Sequence, residues 1–157
     1  MNQSGAGLAR DRGAPVVLRL LPHVHHPPAR VLLPDLGEGH EARALDARGY
    51  RVTVLGGPAP APGITAAAGS LLDAPVRDFD LVCESGAFAS LDHVSRARYV
   101  EAAATVLRPG GLLFGAFPAE EGGAGALIEQ LAPRFDVARL EPSGTADGWL
   151  EAIFVRR

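Results

Sequence analysis

The chain has 157 residues, 47% of them apolar and 21% charged, with a net charge of −3 spread along its length. A chain of that size buries about 70% of its unfolded surface in one core, and its dispersed charge excludes a basic stripe for nucleic acid or a polybasic membrane anchor. Cys83 is the single cysteine, which excludes an internal disulfide; with no apolar run near the ~18 residues of a membrane span and no apolar centre in MNQSGAGLARDRG, the expected location is cytoplasmic.

Residues 1–13 read as a flexible tail and residues 14–157 as one domain. APVVLRLL, Ala14 to Leu21, predicts a short helix with Pro15 in its first turn, where a missing N–H is harmless. PHVHHPP then breaks the chain. Arg30 to Pro34 reads as a buried strand, Gly39 to Arg48 as a helix stopped by Gly49, and Arg51 to Leu55, rich in β-branched residues, as a second strand. GGPAPAPG, Gly56 to Gly63, cannot be helical. Ile64 to Ala68 predicts a weak strand and Phe79 to Cys83 a stronger one. His93 to Leu107 carries Val94, Ala97, Val100, Ala103, Ala104 and Leu107 at a helical period. Arg108 to Gly111 stops that helix, and Leu112 to Phe117 is a further buried strand. Ala124 to Leu131 predicts a helix, and Phe135 to Leu140 and Trp149 to Val155 the last two strands.

Strands that alternate with helices and are apolar on both faces imply an α/β domain: one open, Rossmann-like, mostly parallel sheet with helices on both faces. The short connection before Trp149 makes the last strand antiparallel. Parallel strands need a crossover of a dozen or more residues, yet only eight, Gly56 to Gly63, follow the second strand. An extended Pro-rich segment rises about 3.1 Å per residue, so eight residues span roughly 25 Å, enough to run back along a five-residue strand. An extended crossover is therefore expected where a helix would stand.

VLLPDLGEGHEARALDARGYRVTVL, FDLVCESGAFASLD and YVEAAATVLRPGGLLFGAFP occur in that order. Together they resemble the class I S-adenosylmethionine-dependent methyltransferases: a strand, GxGxG loop and helix, then the fourth strand, then an LRPGG turn and fifth strand. Pro34 after the first strand, GAFASLD after the fourth and a final GWLEAIFVRR are closest to the thiopurine methyltransferase-like group, here shortened and with degenerate cofactor motifs. Placing Gly39 as the last glycine of the loop sets Glu41, Leu45 and Gly49 at the helix positions the family expects, so Asp35, Gly37 and Gly39 occupy the glycine positions.

The resemblance implies S-adenosylmethionine as cofactor, a small-molecule substrate, and no nucleic-acid or membrane partner; it leaves the oligomeric state unknown. It places the cofactor against Asp35, Leu36, Gly37, Glu38 and Gly39, with Gly56, Ser70, Leu71, Glu84 and Ser85 completing the site. Asp tolerates positive φ and is common in turns, so Asp35 either faces the ligand's ammonium group or only caps a turn. Folds of this kind carry an acid at the end of the second strand to bind ribose. Here that position is Gly56, and losing a charge-assisted contact weakens binding by about 1.5–3 kcal/mol. Ser70 replaces a further acid, and its hydroxyl is a candidate for the adenine amine, with Leu71 and Leu72 either flanking the ring or lying in the core. Ser85 stands where the group commonly has an arginine. Phe88 is read as core.

No catalytic residue is named, because methyl transfer from a sulfonium rests mainly on alignment. Two functions stay open: transfer of a methyl group to a thiol or similar small nucleophile, or a methyltransferase fold that no longer methylates and serves as a binding or partner module or hosts another reaction in the old pocket. His23, His25 and His26 lack the partners of a metal set, His40 lies beside the glycine loop, and Cys83 reads as a core thiol. A nicotinamide site fails for want of GxGxxG and its acid.

Overall fold

The computed structural model describes residues 15–35, 37–73, 76–144 and 147–157. The predicted tail, together with Leu36, lies outside them. Residues 15–20 form helix α1, continued by a 3-10 turn, Leu21–His23. Then follow β1 (Arg30–Leu33), α2 (His40–Ala47), β2 (Arg51–Leu55), β3 (Thr65–Ala67), β4 (Phe79–Glu84), α3 (His93–Val106), β5 (Leu107–Pro118), α4 (Gly123–Leu131), β6 (Phe135–Pro142) and β7 (Trp149–Arg156).

The seven strands form one sheet in the order β3-β2-β1-β4-β5-β7-β6. β3, β2, β1, β4 and β5 run parallel, and β7 lies antiparallel to both β5 and β6. The order reverses between β1 and β4, and open α/β sheets bind ligands outside the carboxyl ends of the strands at such a switch point.

The period-2 alternation of strand side chains divides the core into two layers. Val31, Leu33, Val52, Val54, Leu81 and Phe114 face one side, where Val16, Val17 and Leu20 of α1 and Ala42 and Leu45 of α2 cover them. Leu32, Leu55, Val82, Leu113 and Phe154 face the other, under Tyr99, Val100, Ala103 and Ala104 of α3 and Leu127 and Leu131 of α4. Asp92 caps α3 by accepting from the Ser95 N–H at 2.8 Å.

The crossover from β2 to β3 carries no helix, as Pro58, Pro60 and Pro62 dictate. It packs along α2 instead: Ala61 joins the α1/α2 core layer, and a Cβ on Gly63 would lie 2.9 Å from Asp46 Oδ1. The connection from β3 to β4 is also short, with one turn, Leu71–Asp73, among its described residues. The sequence had suggested only the first of these economies.

Two expectations are corrected. β5 begins at Leu107, which pairs with Phe79, while Leu112 pairs with Leu81, so Arg108–Gly111 loop out of a continuous strand rather than precede it. And α3 departs from its expected apolar face at its N-terminal end: Val94 is 74% exposed and Ala97 is exposed, while Arg96 and Tyr99 are buried beside Val100, Ala103, Ala104 and Leu107, which are buried as expected. Polar partners of Arg96 and Tyr99 inside the fold account for that departure.

Candidate active site

The carboxyl ends of β1, β2, β3 and β4 converge on one edge of the sheet. After β1 the chain turns sharply. The Gly37 N–H donates to Asp35 Oδ1 at 3.1 Å, so Asp35 makes the turn that the first position of the loop requires. Gly37 and Gly39 have φ of +56° and +84°. Gly39 leads into α2 and is buried, Glu38 and Gly37 are exposed, and the Arg43 guanidinium donates to the Glu38 carbonyl at 3.0 Å.

Gly39 is needed for space as well as for φ. A Cβ there would stand 3.0 Å from Pro60 Cβ and 3.1 Å from Arg43 Nη1. Gly39→Ala is expected to lower stability by roughly 1–2 kcal/mol, from left-handed strain plus this crowding, with chemical denaturation as the measurement.

Beside the loop, the ends of β2 and β3 form an open groove of about 400 Å³ lined by Gly56, Gly57, Ala66, Ala67, Ala68 and Gly69. Gly56, with φ of +85°, offers backbone in place of the expected acid. None of residues 58–63 lines the groove, because the crossover lies over α2. Ser70 caps the turn at its far end: its N–H and hydroxyl both reach Asp73 Oδ1 at 3.1 Å. Leu71 is buried in the α3 core layer and Leu72 packs against that layer, which is the plainer of the two roles open to them.

Glu84, at the end of β4, is 1% exposed and Ser85 is 3% exposed. Glu84 Oε2 accepts from the Gly86 and Phe88 N–H groups, both at 2.9 Å, and Oε1 accepts from the Tyr99 hydroxyl. The carboxyl thus shapes the loop from below. Burial pushes it up to about 7; the bonds from Tyr99, Phe88 and Gly86 oppose that shift, and Asp35 adds to it. The strands leave no spare room here. Gly115 of β5 pairs with Glu84, and a Cβ on it would come within 2.8 Å of the Glu84 carbonyl carbon and closer still to its oxygen.

Phe88 is fully buried and packs edge-on against Tyr99 and Phe117. Arg96 lies over its other face, 4.7 Å from the ring centroid. The Arg96 guanidinium donates to the Phe88 and Ala89 carbonyls and takes both oxygens of Glu120, beyond β5. That pair borders a second cavity, of about 240 Å³, between α3 and α4.

The structure therefore brings Asp35, Gly37, Glu38, Gly39, Gly56, Ser70, Glu84 and Ser85 to one edge, with Leu71 beneath it. Tyr99, Arg96 and Asp73 were not singled out in the sequence. Arg96 carried a signal: it precedes Val100 by four residues, so a charge stood on the buried face.

Among the other candidates, Cys83 is buried, and burial, Glu41 and Glu84 push its thiol well above the ordinary range, so it is no ready nucleophile. His25 bonds the Gly110 carbonyl through its ring at 3.2 Å, while His23, His26 and His40 are exposed. Among the described residues no group of three or more His, Cys, Asp or Glu side chains is placed to hold a metal ion, and no helix is long and apolar enough to cross a membrane.

No protein-family model matches the chain, and no curated protein matches its sequence significantly. Solved structures do match. A TehB-like S-adenosylmethionine-dependent methyltransferase from Corynebacterium glutamicum superposes with a TM-score of 0.73 at 19% identity, over 90% of this chain and 88% of that one. The 1,6-didemethyltoxoflavin-N1-methyltransferase of Burkholderia thailandensis, with bound substrate and S-adenosylhomocysteine, gives 0.80 at 17% identity, over 94% and 78%. The N-methyltransferase NodS of Bradyrhizobium japonicum, with S-adenosylhomocysteine, gives 0.72 at 20% identity, over 95% and 87%. At these identities the likeness is one of architecture, and it agrees with the strand order found above: the chain has the class I methyltransferase fold.

Proposed function

We propose that the protein is a cytoplasmic S-adenosylmethionine-dependent methyltransferase acting on a small nucleophile, a thiol or a group of similar reactivity. The observation that carries this reading is the open groove beside the glycine loop, clear of the crossover that replaces a helix. The residues present fit the cofactor. Asp35, Gly37 and Gly39 keep a tight turn whose backbone approaches a ligand closely. Gly56 and Gly57 leave room for the ribose through backbone contacts, with Ser70 at the adenine end, above the core residue Leu71, and Ser85 on the β4 side.

When bound, S-adenosylmethionine supplies an electrophilic methyl group on a sulfonium. The chain's part is to hold the acceptor in line with it and to exclude water, which needs no dedicated base for a thiol. Structures of this fold solved with S-adenosylhomocysteine support the cofactor assignment.

Calorimetric titration is the test. Both S-adenosylmethionine and S-adenosylhomocysteine are expected to bind, about 10- to 100-fold more weakly than a site with its ribose acid. Absence of heat at millimolar ligand would overturn the proposal. It would favour the second reading, a methyltransferase fold that binds another ligand or partner, which draws its support from Gly56 and from the commitment of the Ser70 hydroxyl to Asp73.

A further inference from the structure

The cavity between α3 and α4 has no part in the cofactor reading. It starts at the carboxyl ends of β4 and β5, across the switch point from the glycine-lined groove, and holds about 240 Å³. That volume is below the roughly 300 Å³ at which drug-sized ligands are held, so it suits a small one. Phe88, Pro118, Ala126 and Leu127 supply its apolar wall. Arg96, on the same wall, is only 5% exposed. Its guanidinium is fixed over the Phe88 ring, with Nε donating to the Phe88 carbonyl at 3.1 Å and Nη2 to the Ala89 carbonyl at 3.4 Å. The fork that remains grips a carboxylate: Nη1 and Nη2 donate to the two oxygens of Glu120. Planar, bidentate and buried, this is a built carboxylate site.

The carboxylate in it sits half in water. The Glu120 side chain is 51% exposed, against 5% for Arg96. It stands on the connection from β5 to α4, which continues through Gly122 and Gly123 in left-handed conformations, φ +93° and +59°. Swinging Glu120 into solvent costs little when another carboxylate arrives, because Arg96 stays paired and Glu120 is already half hydrated. His93, also on the wall, favours a carboxylate at the same point. Glu121 is the opposing charge on the wall, which leaves the Arg96 end as the one that admits an anion.

We propose that a carboxylate-bearing methyl acceptor replaces Glu120 on Arg96 and seats its apolar body in this cavity, Glu120 being an internal competitor for that place. The proposal rests on the cofactor reading above and names its substrate class: a small thiol that carries a carboxylate. On transfer the acceptor sulfur gives its proton to solvent and takes the methyl group, while the methyl–sulfonium bond breaks and the cofactor sulfur leaves as a neutral thioether. Arg96 holds the acceptor's acid and takes no part in that step.

Benzoate is the probe, with benzamide as its uncharged match, each titrated calorimetrically without cofactor. Benzoate is expected to bind about tenfold more tightly than benzamide, as a charge-assisted bidentate pair against a neutral one. In Glu120→Gln, a change at a half-exposed side chain, benzoate is expected to tighten by about a further tenfold, since a tethered carboxylate no longer competes. Benzamide is expected to bind both proteins alike.

Equal affinities for benzoate and benzamide, or no binding of either, would overturn the proposal. So would a benzoate affinity unchanged in Glu120→Gln, which would put the anion elsewhere on the surface. An equal gain for inorganic phosphate would make the site one for anions in general and sink the carboxylate assignment. With S-adenosylmethionine supplied, mercaptobenzoate is expected to be methylated with a KM about tenfold below that of thiophenol; equal KM values would remove the acceptor role. The benzoate titration needs no cofactor, so its failure leaves the cofactor reading standing. Benzoate binding without any binding of S-adenosylmethionine would keep the carboxylate site and overturn its use for a methyl acceptor.

Discussion

The Gly115→Ala variant is expected to lose about 4 kcal/mol or more of stability, or to fail to fold, which places it among the severe single substitutions. Two effects act together. Gly115 has φ of +143°, a conformation that side chains rarely adopt. Its missing Cβ also points at the backbone of Glu84 on the neighbouring strand: the added atom would lie 2.8 Å from the carbonyl carbon and 3.0 Å from the nitrogen. Backbone cannot move aside as a flexible side chain can. Relief requires β4 and β5 to part in the middle of the sheet, where Cys83 pairs with Phe114 and Glu84 with Gly115. Gly125 provides the control. It lies inside α4 with nothing within 4 Å of an added Cβ, and Gly125→Ala is expected to be neutral or to stabilise by up to about 1 kcal/mol. Urea denaturation of the two variants should move in opposite directions; similar midpoints would show that the strands yield more readily than their packing implies.

Removing the Glu84 side chain is the other large effect. Glu84→Ala leaves two loop N–H groups and the Tyr99 hydroxyl without acceptors in a site closed to water. At roughly 1–3 kcal/mol for each unsatisfied buried group, offset by partial relaxation, the expected loss is about 3–5 kcal/mol. The acid also leaves a signature in pH. Its folded value, pushed up by burial to about 7, lies above the ordinary carboxyl value of 4.5 that applies when the chain unfolds. The folded state therefore holds more protons through that interval, and its stability falls as pH rises across it. The Glu84 contribution is fully present below pH 4.5 and is lost by about pH 7, a change of about 3 kcal/mol. Asp80, Glu120 and Glu151 are all held below the ordinary carboxylate value and slope the other way at lower pH. The difference between the wild-type and Glu84→Gln stability curves isolates the effect. Parallel curves would mean that Glu84 stays ionised in the fold.

Much of the architecture is legible in local chemistry. β1 and β2 are short, largely apolar runs that end at Pro34 and Gly56. The Pro58–Pro60–Pro62 series forbids a helix, so the missing crossover helix follows from residue type alone. What stays hidden depends on partners distant in sequence. Glu84 and Tyr99 are fifteen residues apart and meet only because α3 folds back over β4, so no spacing rule marks the pair. The start of α3 departs from its apolar period for a related reason, although Val100, Ala103, Ala104 and Leu107 are buried as that period expects. Val94 and Ala97 fit an apolar period, but Tyr99 and Arg96 have polar partners waiting inside, and those decide which residues turn inward there. At the candidate site the glycines were recognisable from their order. The Asp35 turn could be named as an option, and the second role of Gly39, room for Pro60, needs the crossover in place.

The helix-free crossover also sets where the domain opens first. β3 is three residues long, largely exposed, and bound to the sheet by a single ladder to β2, with a loop and the Ala61–Ile64 turn rather than a helix leading into it. Such an edge has few buried contacts to lose, so its amide protons belong to the fastest-exchanging class in the sheet. One wall of the groove is that edge, Ala66 to Gly69. A ligand seated there therefore acts as the brace that the missing helix would have supplied, and slowed exchange in β3 reports its arrival even where heat is small.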